Sequence, residues 1–423
     1  MPDHDITAYY SGLTGKVQID WNGELYFTKT DNVQESFETE QLHQDNRTVK
    51  TNNDNKSRLY ATKIVASTPV WIGKLDVGSE FTRISRNSDY TVNGNNNLLP
   101  DDNNSRTTEW NMAGFSSFEM NVNKVRLDAG LRFEHVSFKY YDHNVYKAEQ
   151  SRRYNNLFPN VSIDFPIKHV DVDFAYTVKV SRPTYDMLNS NVQYNDRYTY
   201  QGGNPLLQPC QTHTAEFNIT YHWIHFNGNW TFYHDSFYQY VKPYEKSSNI
   251  TVFSFRNIPH YQSIYAGVTL SPKLAWWQPM FDFGVRKQFF HIKEDHTTTE
   301  YDHPIMFLTF NNIFQLPKDY MLNIDMDYQT GGHSTAIRWG SEGGVNVGIY
   351  KPLLKDRLTL NLQVKDIFNS YKTVNRLIYG DRNISNWKKA DSRQLMLTIR
   401  YKINTTKSKY KGTGAGLEDK NRL

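Results

Sequence analysis

Four residues whose charges alternate along one stretch, Arg126, Asp128, Arg132 and Glu134, are the first candidates for chemistry. Their even spacing places them on one face of a β-strand, because successive side chains in a strand point to opposite sides. On the wall of a water-filled channel such a row is a charge ladder, which can pair within itself or line the path of a solute. Structural pairing is the preferred reading. His169, Asp171 and Asp173 share a face by the same rule and carry donors suited to a cation. Three isolated ligands beside a short turn are more often solvated groups, and no metal site is expected. His222 and His225, three apart, fall on opposite faces of a strand. The sequence contains no GxSxG elbow, no HExxH and no phosphate loop. No catalytic residue, no cofactor and no enzymatic activity are therefore expected.

The elements that must position these residues are strands. Val125, Leu127, Ala129, Leu131 and Phe133 alternate with the charged row; Leu75, Val77 and Phe81 alternate with Lys74, Asp76 and Glu80. The same period of two returns from Val170 to Val180, from Leu358 to Lys365 and from Leu395 to Ile403. About sixteen such stretches are expected. The links between them alternate too. Short ones fall near Thr68 to Val70, Val122 to Lys124, Pro166 to His169, Ile224 to Phe226, Leu316 to Asp319 and Lys351 to Asp356. Long ones fall at Thr30 to Lys56, Arg86 to Arg106, Tyr140 to Leu157, Arg182 to Cys210, Lys242 to His260, Lys293 to Pro304 and Phe368 to Ser392. Only Thr330 to His333 is shorter than its place in that scheme requires. A transmembrane barrel has short periplasmic turns, long outer loops, an apolar outward face and a polar lumen. A soluble sandwich alternates as well, but its two ends have no reason to differ in loop length. The expected class is all-β, an antiparallel transmembrane β-barrel.

Composition narrows the alternatives. A mean hydropathy of -0.70 combined with 15% aromatic residues fits a polar lumen and an aromatic girdle better than intrinsic disorder or an aliphatic core. The apolar runs are far shorter than the roughly 20 residues of a membrane-spanning helix. A net charge of +4, with scattered Lys and Arg, leaves no nucleic-acid footprint. Cys210 is the only cysteine, which excludes an internal disulfide and any CxxC metal knuckle. Met1 to Tyr10 has neither a basic nor an apolar region of the kind a signal peptide needs. Trp276, Trp277 and Phe281 beside a short turn, and Phe232, Tyr233, Phe237, Tyr238 and Tyr240 toward a long one, suit the two interfacial girdles. The second group could instead stack sugars.

The segment Arg182-Pro183-Thr184-Tyr185, then Leu188-Asn189, then Tyr198-Thr199-Tyr200-Gln201-Gly202-Gly203-Asn204-Pro205-Leu206-Leu207-Gln208-Pro209, resembles the signature of the Bacteroidota-type outer membrane β-barrel family. That family supplies the C-terminal barrels of TonB-dependent receptor-like proteins. Val364-Lys365-Asp366-Ile367-Phe368-Asn369 is similar to the closing motif of such receptors, and Lys411 to Leu423 resembles the family's ending. Ser190 and Cys210 depart from the common pattern. In the motifs, Arg182, Pro183, Tyr185, Gly203, Asn204, Pro205, Leu207, Pro209, Asp366, Phe368 and Asn369 are expected to set backbone geometry above all. The resemblance implies a barrel of about 22 strands in outer membrane lipid, of which residues 1–403 would form part and 404–423 a polar C-terminal tail. The N-terminal strands, a plug domain, a signal peptide and TonB-type energy coupling would then belong to a longer protein. The implied function is uptake of a large or scarce solute, a glycan or a peptide among the candidates. An adhesion or secretion barrel, or a soluble carbohydrate-binding β-protein, are the alternatives.

Overall fold

The computed structural model describes residues 3–40, 45–95, 97–294, 297–355, 357–379, 382–403 and 415–423. Its main feature is a 20-stranded sheet. Setting aside three short strands of that sheet (Val145–Tyr146, Val192–Tyr194 and Thr199–Gly202) leaves 17 that follow one another as a continuous antiparallel meander. We number these β1 (His4–Thr14), β2 (Val17–Glu40), β3 (Asp45–Val70), β4 (Gly73–Gly94), β5 (Asn103–Val122), β6 (Val125–Asp142), β7 (Arg152–Ile167) and β8 (Val170–Ser181). There follow β9 (Cys210–Tyr221), β10 (Ile224–Tyr244), β11 (Ser247–Leu270), β12 (Trp277–Phe289), β13 (Ile305–Leu316), β14 (Tyr320–Gln329), β15 (Glu342–Leu353), β16 (Leu358–Lys365) and β17 (Gln394–Tyr401). Among the described residues, β1 pairs with β2 alone and β17 with β16 alone, so the wall is an open one. Among the described residues, no helix is long and apolar enough to cross a membrane.

One end of the wall is tightly turned. Five of its links contain two residues each, and the first of each pair (Gly15, Trp71, Asn123, Lys168 and His222) has a φ between 53° and 62°. That left-handed step matches the right-handed twist of the flanking strands, as in tight hairpins generally. The exposed indoles of Trp71, Trp223 and Trp276 stand at this same end, where amphipathic rings suit a membrane interface.

The two faces are inverted relative to a soluble protein. On β4, Thr82, Ile84 and Arg86 are at most 5% exposed, whereas Val77 and Phe81, on the opposite face of the strand, are 49% and 37% exposed. The same holds on β5 and β6, where Glu109 and Glu134 are buried and Met112, Leu131 and Phe133 are exposed. Apolar side chains outside and ionised ones inside make sense only if the outer solvent is hydrocarbon.

Several local expectations need correction. His4–Thr14 is a strand, paired residue for residue with Val17–Phe27. The Asn- and Asp-rich stretch Asp45 to Lys56 is not a loop but the start of β3, in register with Lys29 to Glu40 of β2. Residues 242–260 likewise continue the β10–β11 ribbon through a short reversal. Local turn propensity lost here to ladder hydrogen bonds, which any residue but Pro can supply on both sides. Residues 334–350 are not one strand: Gly332–Ser334 and Ile337–Trp339 form a small sheet with Thr373–Tyr379, and β15 starts at Glu342. The anomalously short link at 330–333 thereby becomes a connection from Thr330 to Ser341, in keeping with the scheme.

Candidate functional site in the barrel lumen

The inward rows of β2, β4, β5 and β6 bring Glu24, Glu80, Thr82, Arg86, Glu109, Arg132 and Glu134 onto one concave face. Two segments fold back over them: the connection from Arg182 to Pro209, and Ala415–Leu423, whose four residues Leu417–Lys420 form the helix α1. A shared apolar cluster holds both. It joins Leu59, Ala61, Ile84, Phe138 and Tyr140 of the wall to Tyr185, Leu188 and Leu207 of the connection and Ala415 of the C-terminal segment.

The predicted ladder divides into two networks. Arg126 Nε donates to Asp128 at 3.0 Å, and its guanidinium lies 3.4 Å from Glu119, in a half-exposed setting. Farther along, Arg132 Nε donates to Glu134 at 2.6 Å and Nη2 to Glu80 at 3.1 Å. Glu134 also accepts from Arg182, a side chain 1% exposed. The ladder is thus the wall side of a larger cluster, and its center is the family-motif arginine.

The C-terminal segment supplies the other side. Arg182 donates to Glu418, and Arg422 donates from both terminal nitrogens to Glu109, at 2.7 and 3.1 Å. Asp419 accepts from Thr82 at 2.7 Å and from Arg422 at 3.1 Å, while Lys420 reaches Glu24 at 2.8 Å and Asp5 at 2.6 Å. Main-chain atoms join in: Gly416 N donates to Glu80 at 2.9 Å, and Arg86 donates to the Leu423 main-chain oxygen at 2.9 Å. Burial alone would make Arg422 easier to deprotonate, but the Glu109 carboxylate and its hydrogen bonds hold the guanidinium charged far above its ordinary range. Gly416 is required twice, by a φ of 65° and because a Cβ there would sit 2.7 Å from Ala61 Cβ.

The motif connection is fastened by its own residues. Arg422 Nε donates to Pro183 O at 3.3 Å and its guanidinium lies 4.6 Å above the Tyr185 ring. Asn204 N donates to Met187 O at 2.6 Å and Asn204 Nδ2 to Phe255 O at 2.9 Å; Pro205 O accepts from Arg152 at 3.0 Å. Leu207 is fully buried and Pro209 half-buried at the entry to β9. The departing residue Ser190 is used: it receives the Tyr140 hydroxyl at 2.7 Å. Cys210 is buried as the first residue of β9. Farther out, Tyr200 is driven up to about 12 by burial beside Tyr244. A Cβ on Gly203 would meet Asn189 O at 2.2 Å and Asp186 O at 2.9 Å. Gly203→Ala is therefore expected to cost roughly 1–3 kcal/mol through forced backbone movement, seen as a lower unfolding temperature with unchanged β-signal at 20 °C.

At the closing motif, Asp366 and Asn369 both adopt left-handed backbone, with φ of 43° and 52°. Burial would raise the Asp366 carboxyl, but donors from Ser370, Ser392 and Tyr371 outweigh it and hold the group down at about 2. Phe368 is 69% exposed. Asp366→Ala strands several of those donors, and a loss of about 2–3 kcal/mol is expected, read as the midpoint of thermal unfolding in detergent.

Other candidates separate. His169 stacks on His222 across neighbouring turns, ring centroids 6.4 Å apart, instead of joining Asp171 and Asp173. Tyr238 is not a girdle residue: it is 4% exposed and edge-on to Phe290 at 5.4 Å, where loops cover the extended β10–β11 hairpin. Sequence reasoning placed Glu80 on a polar strand face without a site role, missed Glu24, Thr82, Arg86 and Glu109, and left Glu418, Asp419, Lys420 and Arg422 in a plain polar tail. The available signal was the dense alternation of charge in that tail.

With this geometry in hand, comparison with known proteins is informative. The model of the outer membrane protein beta-barrel family matches residues 13–401. The chain belongs to that family. Its place is accordingly the cell outer membrane, and its all-β antiparallel wall has the fold expected of that family. Among solved structures, it is similar to the copper transporter OprC, with 11% identity and a TM-score of 0.65 over 94% of this chain and 65% of that one. The ferric-catecholate import receptor Fiu from E. coli K12 gives 12% identity and 0.61, covering 94% and 63%. The ferric citrate transporter FecA gives 10% identity and 0.61, covering 93% and 60%. At these identities the likeness is one of fold. The chain spans less than two thirds of the length of these structures. No curated protein matches.

Proposed function

We propose that this family member forms the wall of a receptor-type transporter that takes up a large or scarce solute and does no covalent chemistry. The observation that carries the reading is the inverted wall: an apolar exterior, and an interior lined by charged side chains and backed by folded outer connections. Its family, and its fold-level likeness to a ferric-catecholate import receptor and a ferric citrate transporter, support the same conclusion. Capture falls to the outer connections around Arg182 to Pro209 and the β10–β11 hairpin; passage falls to the lumen. Energy would come through a plug domain and TonB-type coupling in the full-length protein. The ladder of Arg126, Asp128, Arg132 and Glu134 then serves first to hold the wall and the motif connection in register.

Gene deletion tests this. A deletion strain grown on limiting metal chelates, glycans and peptides should lose growth on one class, and collapse of the proton gradient in the parent should abolish uptake of the same solute. Undiminished growth and uptake on every class, with loss of surface adherence instead, would favour the adhesion reading.

A further inference from the structure

The outward face of β2 to β7 changes character along the strands. Near the tight turns it is apolar, through Ile64, Val77, Phe81, Met112, Leu131 and Phe133, all exposed. Farther along, the same outward positions become basic. Arg58 lies across from Ser85, Arg83 from Tyr60 and Trp110, and Arg106 from Asn87. Their pleat phase is fixed by the neighbours that face inward: Leu59, Thr82 and Ser105 are buried against the C-terminal segment and the motif connection. Arg58, Arg83 and Arg106 therefore point away from the lumen.

These residues line a hollow of about 420 Å³ together with Lys56, Tyr60, Ser85 and Asn87. A second hollow of similar size adjoins it through Arg83, lined by Phe81, Trp110, Met112 and Lys139. Among the described residues Lys56 is committed to Asp54 at 3.0 Å, and Arg106 lies over the Tyr141 ring at 4.5 Å. Arg58 and Arg83 have no carboxylate partner among the described residues. Arg83 is ten residues along from Gly73 at the turned end. At about 3.3 Å per residue and a tilt of about 40°, that is ~25 Å above the turned end, the height at which the apolar band of a barrel stops.

We infer that this face is a binding site for a phosphorylated lipid of the outer leaflet. The guanidinium groups of Arg58, Arg83 and Arg106 take its headgroup phosphates, and the Phe81, Trp110 and Met112 trough takes the first part of an acyl chain. Guanidinium suits phosphate because it offers paired donors in a plane. The step from cations to apolar rings occurs at one depth, which matches the boundary between headgroup and chain.

The probe is diphosphoryl lipid A, titrated into the purified chain in neutral detergent and followed by Trp fluorescence and native mass spectrometry. The parent should bind, and the triple variant R58E/R83E/R106E should bind at least tenfold more weakly. A control with the same change in charge at the turned end, K16E/K124E/K168E, should bind like the parent. Both variants should keep the parent's far-UV circular dichroism, and if folding of the Glu variant fails, the triple variant R58Q/R83Q/R106Q should still show the loss of binding. Equal binding of dephosphorylated lipid A, or equal loss in the control, would overturn the inference. So would glucosamine phosphate without acyl chains binding as tightly as the lipid, which would mark a free-anion site.

Discussion

Glu109→Ala is expected to release the C-terminal segment from the lumen and to lower stability by about 3–5 kcal/mol, the cost of leaving one partner of a buried ion pair alone. Glu109 and Arg422 are each at most 7% exposed, and they meet through two charged hydrogen bonds. Arg422 also holds Pro183 O and covers Tyr185, so its release loosens the motif connection from beneath. The check is twofold. Limited proteolysis should cut the variant near residues 415–423 where the parent resists, and the unfolding midpoint should fall. The double variant Glu109→Ala/Arg422→Ala should lose less than the sum of the single losses, because neither charge is then stranded. Full additivity would mean that the two side chains do not meet in the folded protein.

Val77→Arg is the second large effect. Val77 lies on the outward face of β4, 49% exposed and four residues from Gly73, at a depth of about 10 Å. An arginine on the lipid face near the midplane of a barrel costs roughly 2–4 kcal/mol. Ser117→Arg is the matched control. Ser117 lies across from Asp76 on the inward face, where the new charge meets water and a carboxylate. Refolding into lipid vesicles, monitored by the mobility shift of folded barrel on unheated gels, should be impaired by the first and little changed by the second.

The wall was legible in the sequence because its signal is a period of two sustained over many residues, as in Val125 to Glu134, and that period fixes both faces. The depth of the strands was less legible. Asp45 to Lys56 has the composition of a loop, and only its partner strand, Lys29 to Glu40, makes it a ribbon. The first strand, His4–Thr14, was missed for a related reason, since its alternating residues include Thr, Ser and Gly. In the lumen, the ladder from Arg126 to Glu134 could be read from spacing alone. Its partners could not, because Glu80 and Arg182 lie far away in sequence and meet it only through tertiary folding, as does Glu418, which joins through Arg182. Gly203 carried a motif signal, but the reason for it, three carbonyl oxygens within 3.0 Å of a would-be Cβ, is visible only in three dimensions.

The central claim is that one face of this wall meets lipid and the other meets water. It is tested most directly by spin labels placed singly on β4 at positions 74, 75, 76, 77, 79, 80 and 81, in a Cys210→Ser background, with the protein reconstituted in vesicles. Positions 75, 77, 79 and 81 should be accessible to oxygen and shielded from a water-soluble nickel relaxant, and 74, 76 and 80 the reverse. Accessibility without a period of two, or with the phase reversed, would contradict the account.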